Sequence, residues 1–147
     1  VTFVSAAIDL FKAQSRHFRN NDRICIRNKI IYPDAMTGGS WSTYSDACDY
    51  VQDLERIFMV LDGKDPELLD TNYREPATAE NRRNASIRIE DAKKEGLNVL
   101  ELEYFKVNLF EGGNVHLTFT RKDLVEKFND MIAYNYKDNL GYRTAKR

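Results

Sequence analysis

Residues 99–136, V-L-E-L-E-Y-F-K-V-N-L-F-E-G-G-N-V-H-L-T-F-T-R-K-D-L-V-E-K-F-N-D-M-I-A-Y-N-Y, constrain the fold more than any other part of the chain. They read as strand, tight turn, strand, cap and helix. Alternation places Phe105, Val107 and Leu109 on one face before the turn and Val115, Leu117 and Phe119 on one face after it. For the six to share a face, Leu109 must lie opposite Val115. That register leaves Glu111-Gly112-Gly113 as a three-residue loop in which a glycine takes the left-handed position and forms a bulge. A two-residue Gly-Gly turn would pair Val115 with Phe110 and send the two apolar rows to opposite faces.

The rest of the chain has to supply partners for this hairpin. At 147 residues it fits one domain, residues 1–147, and its 42% hydrophobic content supports a packed core. The net charge of −1 conceals an uneven distribution. Residues 1–32 carry six basic and two acidic side chains, and 34–70 carry two basic and nine acidic, so a basic end adjoins an acidic middle. Such asymmetry marks either a nucleic-acid face or a self-complementary surface. Two cysteines, Cys25 and Cys48, are too few for a disulfide framework, and no Cys/His spacing suggests a metal. Cys25, among isoleucines, reads as a buried inert thiol. No signal peptide and no long apolar run is present, so the expected location is the cytoplasm, with no membrane partner. The sequon Asn84-Ala85-Ser86 then carries no meaning. The chain starts in mid-pattern at Val1 without a methionine, which is compatible with the C-terminal part of a longer protein.

Taken in order, Val4, Ala7, Ile8, Phe11, Ser15 and Phe18 predict an amphipathic helix over about 3–19, ended by Asn20-Asn21-Asp22. The β-branched residues on both sides of Arg27-Asn28-Lys29 predict a hairpin over about 23–32, with one uninterrupted strand as the alternative. Residues 33–41 read as a loop. A second helix over about 43–61 buries Tyr44, Ala47, Val51, Leu54, Phe58 and Leu61 and exposes Asp46, Asp49, Asp53 and Arg56. Three aspartates at that spacing are better read as a solvated face than as a metal site. Gly63 stops the helix and Pro66 prevents its resumption. Residues 78–95 predict a charged, peripheral or partly mobile helix, whose thin apolar stripe is Ala79, Ala85, Ile87, Ile89 and Ala92, with Gly96 as its stop. Leu100, Leu102 and Tyr104 precede Phe105 on the other face, and this phase switch predicts a β-bulge or a strand buried on both sides. Thr120 with Asp123 resembles a capping box for the last helix, which buries Leu124, Phe128, Met131 and Ile132 and ends at about 139–141. The sum is an α+β domain: a small antiparallel sheet built from two β-hairpins with three to four helices packed on it.

The hairpin register also sets a polar row on the opposite face, with Asn108 across from His116, Lys106 across from Thr118 and Asn114 at the loop exit. An imidazole moves protons near neutral pH and a lysine holds an anion, so His116, Lys106, Asn108 and Asn114 are the candidate catalytic residues. Cross-strand pairing on a solvated face accounts for the same residues without any function. His17 near a helix end fits a dipole-capping role. Arg16, Arg19, Arg23, Arg27 and Lys29, interleaved with Phe18 and Tyr32, are the candidate nucleic-acid-binding residues, and Arg143, Lys146 and Arg147 could extend their field. Ordinary solvated charge is the competing account. Gly38-Gly39 and Gly112-Gly113 match no phosphate-loop or dinucleotide fingerprint, and no cofactor is expected. No adenine-methyltransferase motif is present, so the chain is not a methyltransferase on its own.

The segment E-Y-F-K-V-N-L-F-E-G-G-N-V-H-L-T-F-T-R-K-D-L-V-E-K-F-N resembles a bacterial, phage and plasmid family catalogued as a domain of unknown function, with a G-N-x-H-L-x-F signature. I-C-I-R-N-K-I-I-Y and D-L-E-R-I-F-M-V-L-D-G-K extend the resemblance over nearly the whole chain. The chain departs from the pattern at Glu111-Gly112, in place of Lys-Asn, and at Arg27, in place of glycine; the first change removes a positive charge near the hairpin tip. Proteins of that family are often fused to, or neighbours of, class I DNA adenine methyltransferases. The resemblance implies a role in DNA modification or phage–host conflict and carries over Asn114 and His116 as candidates. Three functions follow as expectations. One is a non-catalytic accessory domain binding DNA or a DNA-modifying partner, such as a methyltransferase or a defence-system protein. Another is a small nucleic-acid-acting enzyme using His116. The last is an anti-restriction module whose acidic middle mimics DNA.

Overall fold

A computed structural model of the chain describes residues 7–10, 12, 19–20, 23–24, 28–33, 35–37, 40–41, 46–70 and 82–136. Its centre is a four-stranded antiparallel sheet of β1 (Lys29–Tyr32), β2 (Val99–Glu101), β3 (Phe105–Leu109) and β4 (Val115–Phe119), in the spatial order β1-β4-β3-β2. The helices are α1, seen at residues 7–10, α2 (Asp46–Leu61), α3 (Ala85–Lys94) and α4 (Lys122–Tyr136). This is the α+β architecture expected from the sequence.

The β3–β4 hairpin has the register that its alternation demands, with Leu109 opposite Val115, Val107 opposite Leu117 and Phe105 opposite Phe119. All six side chains are buried. Phe110 N–H donates to the Asn114 carbonyl at 3.0 Å and Gly113 N–H to the Phe110 carbonyl at 2.9 Å. Residues 111–113 are therefore the loop, and Gly113 takes the left-handed side at φ 96°.

Several expectations are corrected. The hairpin expected over about 23–32 is not the pairing found among the described residues: Arg23–Ile24 pairs with Arg19–Asn20, and β1 pairs with β4. A hairpin of its own needs a second apolar row to cover, whereas Ile30 and Tyr32 gain burial by extending the β4 row. Arg19–Asn20 is a strand, and the end of α1 lies outside the described residues. Within 33–41, Met36–Thr37 and Ser40–Trp41 form a small antiparallel ladder that buries Met36 and Trp41. The phase switch before Phe105 is neither a bulge nor a strand buried on both sides but a chain reversal, because β2 pairs antiparallel with β3 and Leu102 N–H donates to the Phe105 carbonyl at 2.9 Å.

Both central helices are delimited by the local chemistry of their ends. α2 begins with Asp46 and Asp49, which favour the positive pole of the helix. It ends where Gly63 adopts φ 76° and Lys64 N–H reaches back to the Met59 carbonyl at 2.8 Å. α3 is shorter than expected and starts at the Asn84 cap, whose side chain accepts from Ile87 N–H at 3.1 Å. It ends in the same way as α2, with Gly96 at φ 81° and Leu97 N–H donating to the Ala92 carbonyl at 2.9 Å. α3 is not peripheral: Ala85, Ile87, Ile89 and Ala92 are buried, and Ser86 Oγ donates to the Cys48 carbonyl at 2.6 Å. Buried Glu55 on α2 accepts from Ala85 N–H at 2.7 Å, so a carboxylate of one helix serves an orphan donor of the other. Ala79 lies outside the described residues, as does the expected end of α4. Arg121, not Thr120, holds the position before the first turn of α4, its carbonyl accepting from Leu124 and Val125.

Helix and sheet meet through an aromatic cluster. Phe58 of α2 stacks on Phe119 of β4 with ring centroids 5.3 Å apart and touches Phe128 of α4 at 6.2 Å and Tyr104 at 6.1 Å. The inner face of the sheet is covered in this way, which leaves the question of what occupies the other face.

Candidate functional site

The outer face is built by the same registers. Across its upper part run Ile31 of β1, His116 of β4, Asn108 of β3 and Val99 of β2, each opposite the next. Below them run Lys29, Thr118, Lys106 and Glu101, again paired strand by strand. The structure thus brings together His116, Asn108 and Lys106, as the sequence anticipated, and adds Lys29 to the same face. Phe110 follows Leu109 with opposite parity, and its ring lies 4.5 Å from the His116 imidazole, centroid to centroid. Asn114 is half-buried at the loop exit, opposite Phe110.

This face exposes apolar area. Ile31 is 42% exposed, Val99 48%, Phe110 44% and Leu97, at the entry to β2, 45%. Continuing the β2–β3 register by two residues sets Leu97 beside Phe110. Leu97, Val99 and Phe110 are neighbours by register, and Ile31 stands at the other end of the row, across His116 and Asn108 from Val99.

Burial and then the positive charge of Lys29 hold the His116 pKa below its ordinary value. Both effects favour the neutral form of the imidazole, which faces Asn108 and Ile31 across the neighbouring strands. A neutral ring held against a phenyl ring is suited to stacking and hydrogen bonding.

Of the basic group expected at the N-terminal end, Arg16 and Arg27 lie outside the described residues. Arg19 and Arg23 are described only as members of the short paired ladder. His17 and Cys25 are also outside the described residues. Among the acidic residues of 34–70, Asp46, Asp49 and Asp53 are exposed on α2, but Glu55 is buried and Asp62 is engaged internally. No group of three or more His, Cys, Asp and Glu side chains suited to a metal occurs among the described residues. No described helix is long and apolar enough to cross a membrane. An open depression of about 320 Å³ lined by Arg56, Pro66, Glu67 and Leu69 includes none of the residues nominated from the sequence.

A second polar cluster was not visible in the sequence. Arg121 donates through Nε and Nη2 to both oxygens of Asp123, at 3.0 and 2.9 Å, and through Nη2 to Asp62 Oδ1 at 3.1 Å. Tyr104 Oη donates to Asp62 Oδ2 at 3.1 Å, and Lys64 Nζ lies 3.7 Å from the same oxygen. The bond from Arg121 holds the Asp62 carboxyl below its usual range, and the same guanidinium does so for Asp123. Two cations and two carboxylates close this cluster on itself, so it joins the end of α2 to the start of α4 and offers no spare charge to a ligand. Asp62 and Arg121 are 59 positions apart, and no periodicity could have paired them.

The family described as Domain of unknown function (DUF4942) matches residues 2–138 of the chain. No curated protein and no solved structure matches it.

Proposed function

We propose, from the premise that the chain belongs to the DUF4942 family, that it is an accessory domain that binds DNA without catalysing a reaction itself. The observation that carries this reading is the outer sheet face, where Lys29 and Lys106 flank a histidine, an exposed phenylalanine and two amide-bearing positions, Asn108 and Asn114. Cations supply attraction to phosphate, and the polar and aromatic groups between them supply contacts to sugar or base. The setting proposed for it is DNA modification or phage and plasmid conflict with a host, a reading supported by the resemblance of the G-N-V-H-L-T-F segment, residues 113–119, to proteins that accompany DNA adenine methyltransferases.

An enzyme built on His116 has less behind it, because the imidazole stands on a strand surface and faces an asparagine and an isoleucine across the neighbouring strands. A DNA-mimicking role for the acidic middle is weakened by Glu55 and Asp62, whose carboxylates bond within the protein.

Binding of labelled DNA followed across a salt series tests the proposal. Affinity should fall as salt rises, and the Lys29→Glu/Lys106→Glu double variant should weaken binding and lower the log–log salt slope by about 2. Absence of binding at low salt, or an unchanged slope in the double variant, refutes it.

A further inference from the structure

We infer that the outer sheet face takes a single strand of DNA, with a base stacked on the Phe110–His116 pair and the strand's phosphates held by Lys29 and Lys106. The inference rests on the DNA-binding reading and narrows it to one form of DNA.

Duplex DNA presents phosphates and groove edges, and hides the flat faces of its bases. A protein that reads only duplex backbone needs cations and hydrogen-bond donors and gains nothing from exposed hydrocarbon. This face is divided otherwise. Ile31, Val99, Phe110 and Leu97 make its upper part apolar, and the cations lie in the row below. Unpaired bases bring the matching chemistry, since each has a π-face to stack and an edge to hydrogen-bond. Phe110 is 44% exposed, with its ring against His116 at 4.5 Å, so two ring systems are already in contact at the upper end of the central hairpin. Asn108, across from His116, brings an amide that can both donate and accept at a base edge.

The spacing of a sheet fits one strand of nucleic acid. Residues two apart on a strand are about 7 Å apart, and adjacent strands about 4.8 Å. Lys106 is two residues from Asn108, and Lys29 is opposite Thr118, which is two residues from His116. By this spacing each cation is about 8 Å from His116, and Lys106, four residues before Phe110, is about 14 Å from it, a span of one to two nucleotides. Glu101, directly opposite Lys106 in the same row, offsets part of that cation's charge, so Lys29 at the other end of the row carries the stronger attraction for phosphate, and Glu111 puts negative charge at the hairpin tip.

Fluorescence anisotropy of the full chain with labelled oligo(dT), a duplex of equal length and oligo(rU) tests the inference. Oligo(dT) should bind at least tenfold more tightly than the duplex and no more weakly than oligo(rU). Phe110→Ala should lose about tenfold in oligo(dT) affinity with duplex binding unchanged, and Phe110→Tyr should restore it. Since Phe110 is exposed, an unchanged melting temperature shows that the variant is folded. Equal binding of duplex and single strand that Phe110→Ala leaves intact overturns the single-strand inference, while the DNA-binding reading stands. Tighter binding of oligo(rU) by tenfold overturns the choice of DNA. Failure to bind any of the three overturns both and leaves the apolar row to a protein partner.

Discussion

Gly113 shows how one residue sets the identity of a whole face. Its φ of 96° lets the loop close in three residues, and the odd length keeps Leu109 opposite Val115. A side chain there would strain the backbone, because the left-handed side costs an ordinary residue about 1–2 kcal/mol. Gly113 also serves the neighbouring loop, accepting from Met36 N–H at 3.0 Å. Gly113→Ala should lower stability by about 1–2 kcal/mol in urea unfolding. Full retention of stability would mean that the loop tolerates another geometry. His116 depends on the same register: a slip of one residue would carry the imidazole into the core and Leu117 out to the face where the aromatic pair now stands.

At the scale of elements, the joint at the end of α2 was only half legible. Gly63 announced a helix stop, and the structure places the stop there, with Lys64 bonding back to Met59. The residue before the glycine gave no sign of its task. Asp62 accepts from Tyr104 in the β2–β3 turn and from Arg121 at the start of α4, so three elements meet at one carboxylate. Contacts of this kind depend on tertiary placement, which a pattern of apolar spacing does not encode. The error over α3 has the same origin. Its stripe of Ala85, Ile87, Ile89 and Ala92 looked too thin to bury, yet small side chains allow close approach, and the Ser86–Cys48 and Ala85–Glu55 bonds complete the contact with α2. The joint has a pH signature. With a folded pKa below the unfolded value of about 3.9, Asp62 contributes stability that is fully present above that value and lost as pH falls through the folded pKa. Asp62→Asn should therefore lower the melting temperature at neutral pH and flatten its decline on acidification below about pH 4. A variant whose melting temperature follows the parent across the acid range would show that the joint contributes nothing.

At the scale of the whole molecule, the sheet divides the described residues into an inner face buried against the helices and an outer face with exposed side chains. The alternation in β3 and β4 made that division readable from the sequence, and it assigned the right residues to each face. The edge strands were harder to read, since β2 is short and β1 was expected to pair within its own hairpin. Their partners were settled by which apolar row each could extend. Val107 and Val99 allow the division to be measured with one chemistry. Both are valines on antiparallel strands of the same sheet, but Val107 is 0% exposed among the core residues and Val99 is 48% exposed on the outer face. Valine to threonine keeps the shape and exchanges a methyl for a hydroxyl, so the substitution reports burial more than volume or strand propensity. At Val107 the hydroxyl must leave water for an apolar interior, at a cost of about 1–3 kcal/mol. At Val99 it remains wet, and the change should stay within about 0.5 kcal/mol of the parent. Chemical unfolding of Val107→Thr and Val99→Thr side by side should give this contrast. Equal losses at the two sites would mean that the outer face is covered within the folded chain, and the surface assigned here to DNA would not be available to it.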